Sequence, residues 1–246
     1  MSLFRLPKST LNSIDKVTRR FWWGVSKEEG SYYTLTSWNS LCQPKSKGGL
    51  DFQRAEDTNK AMLSKTVWAL TKSNESLASR ALKAKYGNFL NSTNRSSPSS
   101  IWKGLRWCKN TIQNSTCFSI GDGATTSVWI DPWIPGKLGH KASPKTNVVP
   151  NLELKVCDLM LLHPKRWNVP LIRNLFEQDT VDNILKIHLS QEDYEDSTLW
   201  TPNTSGKHSV KSFYLVDQNH RFHNHSGVVW KAIWNLKMHE RLKLHL

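Results

Sequence analysis

The sequence predicts an α+β fold, mainly α-helical with two small antiparallel β-hairpins. Three observations predict it. Apolar residues recur at helical spacing through residues 1–112, and short β-rich segments flank two glycine-containing turns further on. An apolar content of 38% over 246 residues is enough for one sizeable core or two small ones. The 12 Trp residues, spread along the chain, argue that most of it packs, because each indole hides a large apolar area.

The elements follow in order. After Pro7 and Ser9, the residues Leu11, Ile14, Val17, Thr18, Phe21 and Trp22 keep helical spacing. Arg19 and Arg20 sit near the C-terminal end, where cations suit the helix dipole, and Gly24 stops the helix. Tyr32, Tyr33 and Leu35 read as extended, 38–42 as a helical turn, and 44–49 as a loop. Helices are predicted at 55–72 and 76–86. After a polar loop at 88–97, Pro98 opens a helix bearing Ile101, Trp102, Leu105, Cys108 and Ile112.

Residues 117–120 and 126–129 flank Gly121-Asp122-Gly123 as a first hairpin. Pro132, Pro135, Pro144 and Pro150 make 131–150 irregular. Short helices are predicted at 155–162, 169–177 and 180–187, and the acidic run 192–196 reads as a solvated loop. Residues 198–201 and 207–210 flank a second hairpin turn, and Ser209 or Ser212 caps a last short helix through Val216. The expected organisation is therefore a basic helical region over 1–112, a hairpin segment over 113–135, a linker over 136–154 and a small α+β region over 155–246.

Charge divides the chain. Residues 1–110 hold 19 Lys+Arg against 7 Asp+Glu, whereas 111–246 hold 15 against 13. A basic half beside a near-neutral one points to a polyanionic partner, RNA or DNA; the plainer alternative is a solvated basic surface. The four cysteines, Cys42, Cys108, Cys117 and Cys157, are too widely spaced for a zinc set or a disulfide framework. There is no signal-peptide h-region and no apolar run of about 18 residues, so a soluble, intracellular protein with no membrane partner is expected.

Several segments then fall into one series. Residues 1–8 (MSLFRLPK) with Phe21-Trp22-Trp23-Gly24 come first. Trp38-Asn39-Ser40-Leu41-Cys42-Gln43-Pro44-Lys45 and Gly48-Gly49-Leu50-Asp51-Phe52 follow, then Leu82-Lys83-Ala84-Lys85-Tyr86 and Ile101-Trp102-Lys103-Gly104-Leu105. Ile120-Gly121-Asp122-Gly123 with 128–135 (VWIDPWIP) is the most specific. Trp200, 206–212 (GKHSVKS) and Trp230-Lys231-Ala232-Ile233-Trp234 complete the order. Together they resemble the plant LINE-type (non-LTR) retrotransposon reverse transcriptases and the ribonuclease H-like proteins derived from them. The resemblance runs from the end of the polymerase thumb to the start of the reverse-transcriptase zinc-binding domain. Asp51 stands where the family pattern usually has Gly. The resemblance implies that polymerase catalysis belongs upstream and the zinc ligands and RNase H carboxylates downstream, outside this chain.

The residues themselves offer little chemistry. Two-metal phosphoryl transfer needs clustered carboxylates, and the nearest look-alike, Tyr194-Glu195-Asp196-Ser197, lies in the acidic loop. Gly121-Asp122-Gly123 reads as a tight turn, since Thr126 breaks G-x-G-x-x-G and a strand follows. His220, His223 and His225 read as a mobile loop rather than a metal site. His208 reads as an exposed strand residue, and Trp22, Trp23, Trp129 and Trp133 as core before base-stacking platforms.

No catalytic, cofactor-binding or metal-binding residue is expected. The candidate phosphate contacts are Arg19, Arg20, Lys45, Lys47, Lys83, Lys85, Lys103, Arg106 and Lys109. The expected function is a non-catalytic retroelement segment that binds nucleic acid through a basic helical face. Its other expected partners are the polymerase or RNase H segments outside the chain. The alternatives are a packing or protein-interaction remnant without a ligand, and an enzyme with the parent family's polymerase or RNase H activity.

Overall fold

The computed structural model describes residues 2–24, 34–72, 76–87, 89, 98–162, 164–192, 194–222 and 230–243. The expectations for Tyr32, Tyr33, most of 88–97, His223 and His225 lie outside them. The fold is mainly α-helical α+β with two small antiparallel sheets.

The helical half is organised around α3 (Ala55–Thr71), a helix of 17 residues buried on several sides. α1 (Lys8–Trp23) lies along it and ends at Gly24, whose φ of 69° makes the left-handed cap that a side chain disfavours. Asp15 on α1 accepts the Ala55 N–H at 2.9 Å and so caps α3 from 40 residues away. The buried Asn59 holds the N-terminal segment, accepting Leu6 N–H at 2.9 Å and donating to the Phe4 carbonyl at 3.2 Å.

α2 (Trp38–Leu41) is capped by Ser37, and a single 3-10 turn (Lys45–Lys47) occupies the predicted loop. α4 (Leu77–Tyr86) is capped by Ser76. The helix predicted from Pro98 is two helices, α5 (Ser100–Arg106) and α6 (Lys109–Asn114), broken at Trp107–Cys108.

Asp51 adopts φ +62°, the left-handed region. This is the position where the family pattern has Gly, so the departure places a side chain where its absence is favoured, at a cost of about 1 kcal/mol. Asp51→Gly should raise the unfolding free energy by about 0.5–1 kcal/mol, less the entropy glycine adds to the unfolded chain. Urea titration of the two proteins measures it, and a loss as large as glycine's backbone entropy alone predicts, about 0.5–1 kcal/mol, would refute strain at Asp51.

The sheets form from partners other than the predicted ones. β1 (Thr116–Ser119) does not pair with 126–129. It pairs antiparallel with β4 (Ser197–Trp200), with Thr116 opposite Trp200 and Ser119 opposite Ser197. β2 (Met160–Leu161) pairs with β3 (Arg166–Trp167), where a helix through 162 was expected; only the 3-10 turn Val156–Leu159 precedes it. The second hairpin fails as well. Its turn is present, with Gly206 N–H on the Asn203 carbonyl at 2.9 Å, but Ser209 and Ser212 form a reciprocal cap that turns the chain into α9 (Val210–Gln218).

Two apolar clusters result. The first joins α3–α6 to Trp200 of β4 and to Phe213 and Tyr214 of α9. The second draws on Ile120, Val128, Trp133, Ile134, Val156, Trp167 and the helices α7 (Val169–Leu175) and α8 (Gln178–Leu185). Residues 142–145, within the expected linker, join it: Ala142 packs on the cluster and Lys145 N–H donates to the Leu175 carbonyl at 2.9 Å. α10 (Trp230–Asn235) and α11 (Glu240–Lys243) close the described chain.

Candidate nucleic-acid interface

The cations of α4–α6 are held by a packed aromatic unit. On α5, Trp102 and Leu105 point inward, which turns Lys103 to solvent and leaves Arg106 half-buried. Tyr86, the last residue of α4, stacks on Trp102 with centroids 4.3 Å apart and planes 12° from parallel; its hydroxyl accepts Ser99 N–H at 3.1 Å. Phe89 meets the edge of Trp102 at 5.3 Å. α4 and α5 are thus fastened together, and both exposed lysines of α4 ride on them. Lys85 lies 5.3 Å from the Tyr86 ring centroid, and Lys83 donates to the Lys72 carbonyl at 3.2 Å, at the C-terminal end of α3. Burial and the neighbouring Arg106 guanidinium together hold the Lys109 ammonium below its usual range.

The other four candidates surround α2. The Arg19 guanidinium lies 5.9 Å from the Trp38 centroid, and its Nε donates to the Asp15 carbonyl. Trp38 stacks on Phe52 at 5.6 Å, and Trp22 meets Phe52 edge-on at 5.2 Å, so Trp22 is packed. Arg20 is half-buried one residue further. Lys45 and Lys47 stand on the 3-10 turn after α2; Lys45 is exposed and 3.7 Å from Glu240, and Lys47 is half-buried. Of the nine cations, Lys85 lies on Tyr86 and Arg19 on Trp38; Lys83 and Lys103 stand exposed on α4 and α5, and Lys45 stands beside Glu240.

Two residues were misread in the sequence. The acidic run is not simply solvated. Asp196 is half-buried, and its Oδ1 accepts Gly121 N–H at 2.7 Å and Gly123 N–H at 3.0 Å. Its Oδ2 accepts the Thr126 N–H and hydroxyl, at 3.1 and 2.7 Å, and the Thr125 hydroxyl at 3.1 Å. Burial pushes this carboxyl up, but the donors from Thr126, Gly121, Gly123 and Thr125 outweigh it and hold the group below the usual carboxylate range. Gly121-Asp122-Gly123 is thus an anion-binding loop whose anion is the chain's own carboxylate. A Cβ at Gly121 would sit 2.0 Å from the Tyr194 carbonyl oxygen, which fixes glycine there.

His208 is not an exposed strand residue. It stacks on Trp68 at 5.4 Å, meets Trp200 edge-on at 4.9 Å, and its Nε2 lies 3.1 Å from Ser64 Oγ. Ser64 donates its own proton to the Ala61 carbonyl, so Nε2–H is the donor to Ser64. Burial lowers the imidazole pKa to about 4.

Asp122 and Asp131 accept local backbone N–H groups, from Ala124 at 2.9 Å and Ser127 at 2.8 Å. Trp133 is fully buried with its Nε1–H on the Val128 carbonyl, and Trp129 tilts against Phe176 at 4.8 Å, so both are core. Cys42, Cys108 and Cys117 are buried, each thiol pushed up to about 12 by burial. Among the described residues, no three His, Cys, Asp or Glu side chains are grouped to hold a metal ion, and no helix is long and apolar enough to cross a membrane.

Fold and surface define a basic, helix-rich α+β protein. Over 138 residues the chain is 30% identical to an uncharacterized mitochondrial protein of Arabidopsis thaliana, covering 54% of this chain and 89% of that protein. It is 27% identical over 260 aligned positions to an Arabidopsis thaliana protein named "Putative ribonuclease H protein", across 100% of this chain. The chain belongs to the plant family these two proteins represent, in broad agreement with the motif series. It spans 41% of the length of the second relative. No family profile matches it, and no solved structure matches it.

Proposed function

We propose that this chain is a non-catalytic segment of a retroelement polyprotein, spanning the end of a polymerase thumb to the start of a zinc-binding domain, and that it grips nucleic-acid phosphates. The observation that carries the reading is the display of Lys83, Lys85 and Lys103 on the stacked α4–α5 unit, within a half holding 19 cations against 7 acids. Rigidly held, solvent-facing ammonium groups contact phosphates without reading bases, and such contacts release counterions.

Affinity for an RNA–DNA hybrid or a DNA duplex should fall steeply between about 50 and 200 mM salt. Replacing Lys83, Lys85 and Lys103 by Gln should reduce the slope of log K against log salt by about 2–3, near 0.9 per lost contact. Fluorescence anisotropy across a salt series measures both; salt-independent binding, or a slope unchanged in the variant, overturns the reading. The same preparation should neither extend a primer nor cleave a hybrid with magnesium. Turnover that Asp122→Asn or Asp131→Asn abolishes would make the chain an enzyme.

One observation favours a second reading, a protein-interaction remnant. Ile14, Val17 and Phe21 form an apolar stripe on α1, and Phe21 is 85% exposed. Clean folding with no affinity for RNA or DNA at low salt would select it.

A further inference from the structure

Charge counted by halves hides a second basic island. Residues 230–243 carry Lys231, Lys237, Arg241 and Lys243 against Glu240 alone, while residues 111–229 hold 11 cations against 12 acids. The fold delivers this island to the 3-10 turn Lys45–Lys47, nearly 190 positions away. Trp234 Nε1–H donates to the Lys45 carbonyl at 2.7 Å. The Trp230 ring lies against Gly48, where a Cβ would come within 2.6 Å of it. Lys243, 7% exposed, donates to the Trp234 carbonyl at 2.7 Å and folds α11 back on α10. Glu240, at the start of α11, stands 3.7 Å from Lys45.

Like-charged segments repel, so this docking rests on the two indoles and the hydrogen bond rather than on net electrostatics. A surface ion pair such as Lys45–Glu240 contributes at most about 1 kcal/mol. Holding two positive segments together raises the local potential above what either produces alone, which is the requirement for binding a polyanion.

We infer that the α10–α11 hairpin and the 45–47 turn form one bipartite phosphate-binding surface, in which Trp230 and Trp234 act as positioning residues and Lys45, Lys47 and Lys237 contact a nucleic-acid backbone. This rests on the reading above and extends it to a surface separate from α4–α5. Lys237 is exposed, and Lys243 is taken up internally.

The test uses the full chain and a duplex oligonucleotide. Lys237→Gln should weaken binding about 2–5-fold at 100 mM salt and reduce the salt slope by about 0.9. Trp234→Ala keeps every cation yet should weaken binding about as much as Lys45→Gln and Lys237→Gln combined. Trp234→Phe, which keeps a ring and loses the donor, should lie between. Unchanged hydrogen-exchange protection of α3 and α9 shows that these variants remain folded. If Lys237→Gln and Trp234→Ala bind like wild type while the Lys83/Lys85/Lys103 variant is weakened, the bipartite surface is wrong and the α4–α5 reading stands. If wild type binds no nucleic acid, both fall.

Discussion

Asp196→Ala is expected to destabilise the chain by about 3–5 kcal/mol, because one carboxylate satisfies a whole loop. The carboxylate accepts five hydrogen bonds from Gly121, Gly123, Thr125 and Thr126. Its removal leaves donors facing one another around a void. Unsatisfied groups of this kind cost about 1–3 kcal/mol each where buried, and partial access of water limits the sum. The loss propagates because Asp196 immediately precedes β4, whose pairing with β1 brings Trp200 into the first cluster.

The folded-state carboxyl titrates below its unfolded value, so its contribution is fully present above the unfolded pKa. It is lost as pH falls through the depressed folded pKa. Asp196→Asn should abolish that acid limb. Because the loop is built for an anion, sulfate should raise the thermal midpoint of Asp196→Gly more than that of wild type, which gains only the general stabilisation of an excluded salt. Thermal scans of both proteins with and without sulfate measure this. A mildly destabilised Asp196→Ala, or equal sulfate effects on the two, would show that the loop is held by something else.

His208 should give the second large effect, in a different pH window. Its pKa is about 4 in the fold against about 6.5 unfolded, so the unfolded state binds the proton first. The sign follows from that. Stability is complete above about pH 6.5 and declines as pH falls toward 4, by about 2 kcal/mol once the partial exposure of the ring is allowed for. His208→Phe keeps an aromatic ring between Trp68 and Trp200 and should remove this pH dependence, at the cost of the contact to Ser64. His208→Ala should lose about 2–4 kcal/mol at pH 7 through the vacated space between the indoles. Urea midpoints from pH 7 to 4 decide the matter. A wild-type curve that parallels His208→Phe across that range would refute a buried neutral imidazole.

Both residues mark where local reading stops. Gly121-Asp122-Gly123 was legible as a turn, because glycine next to Asp has few other uses. That its amides converge on Asp196, 70-odd positions on, has no local signal, and the acidic run around Asp196 reads as solvated on its own. His208 lies among polar residues after a glycine, and only the arrival of Trp68 on α3 and Trp200 on β4 buries it. The predicted hairpins failed for the same reason: alternation and turn residues show that 117–120 and 198–201 extend, one residue off the strands that form, not which strand each meets.

What the sequence determined by itself was most of the helix set, though not the break at Trp107–Cys108 or the strand that replaces a helix at 160–161. The helices α1, α3, α4, α7, α8 and α9 stand where helices were predicted, and Ser209, one of the two caps the sequence offered, starts the last of them. The excess of cations in residues 1–110, and their arrangement on helices, were equally plain. Tertiary structure alone decided which strands pair, which carboxylate fills the glycine loop, which histidine loses its charge, and that a C-terminal basic island docks beside Lys45. The physical reason is that helical bonds and caps close over three or four residues. Burial, hydrogen bonding to distant donors and summed electrostatic potential depend on which segments the folded chain brings together.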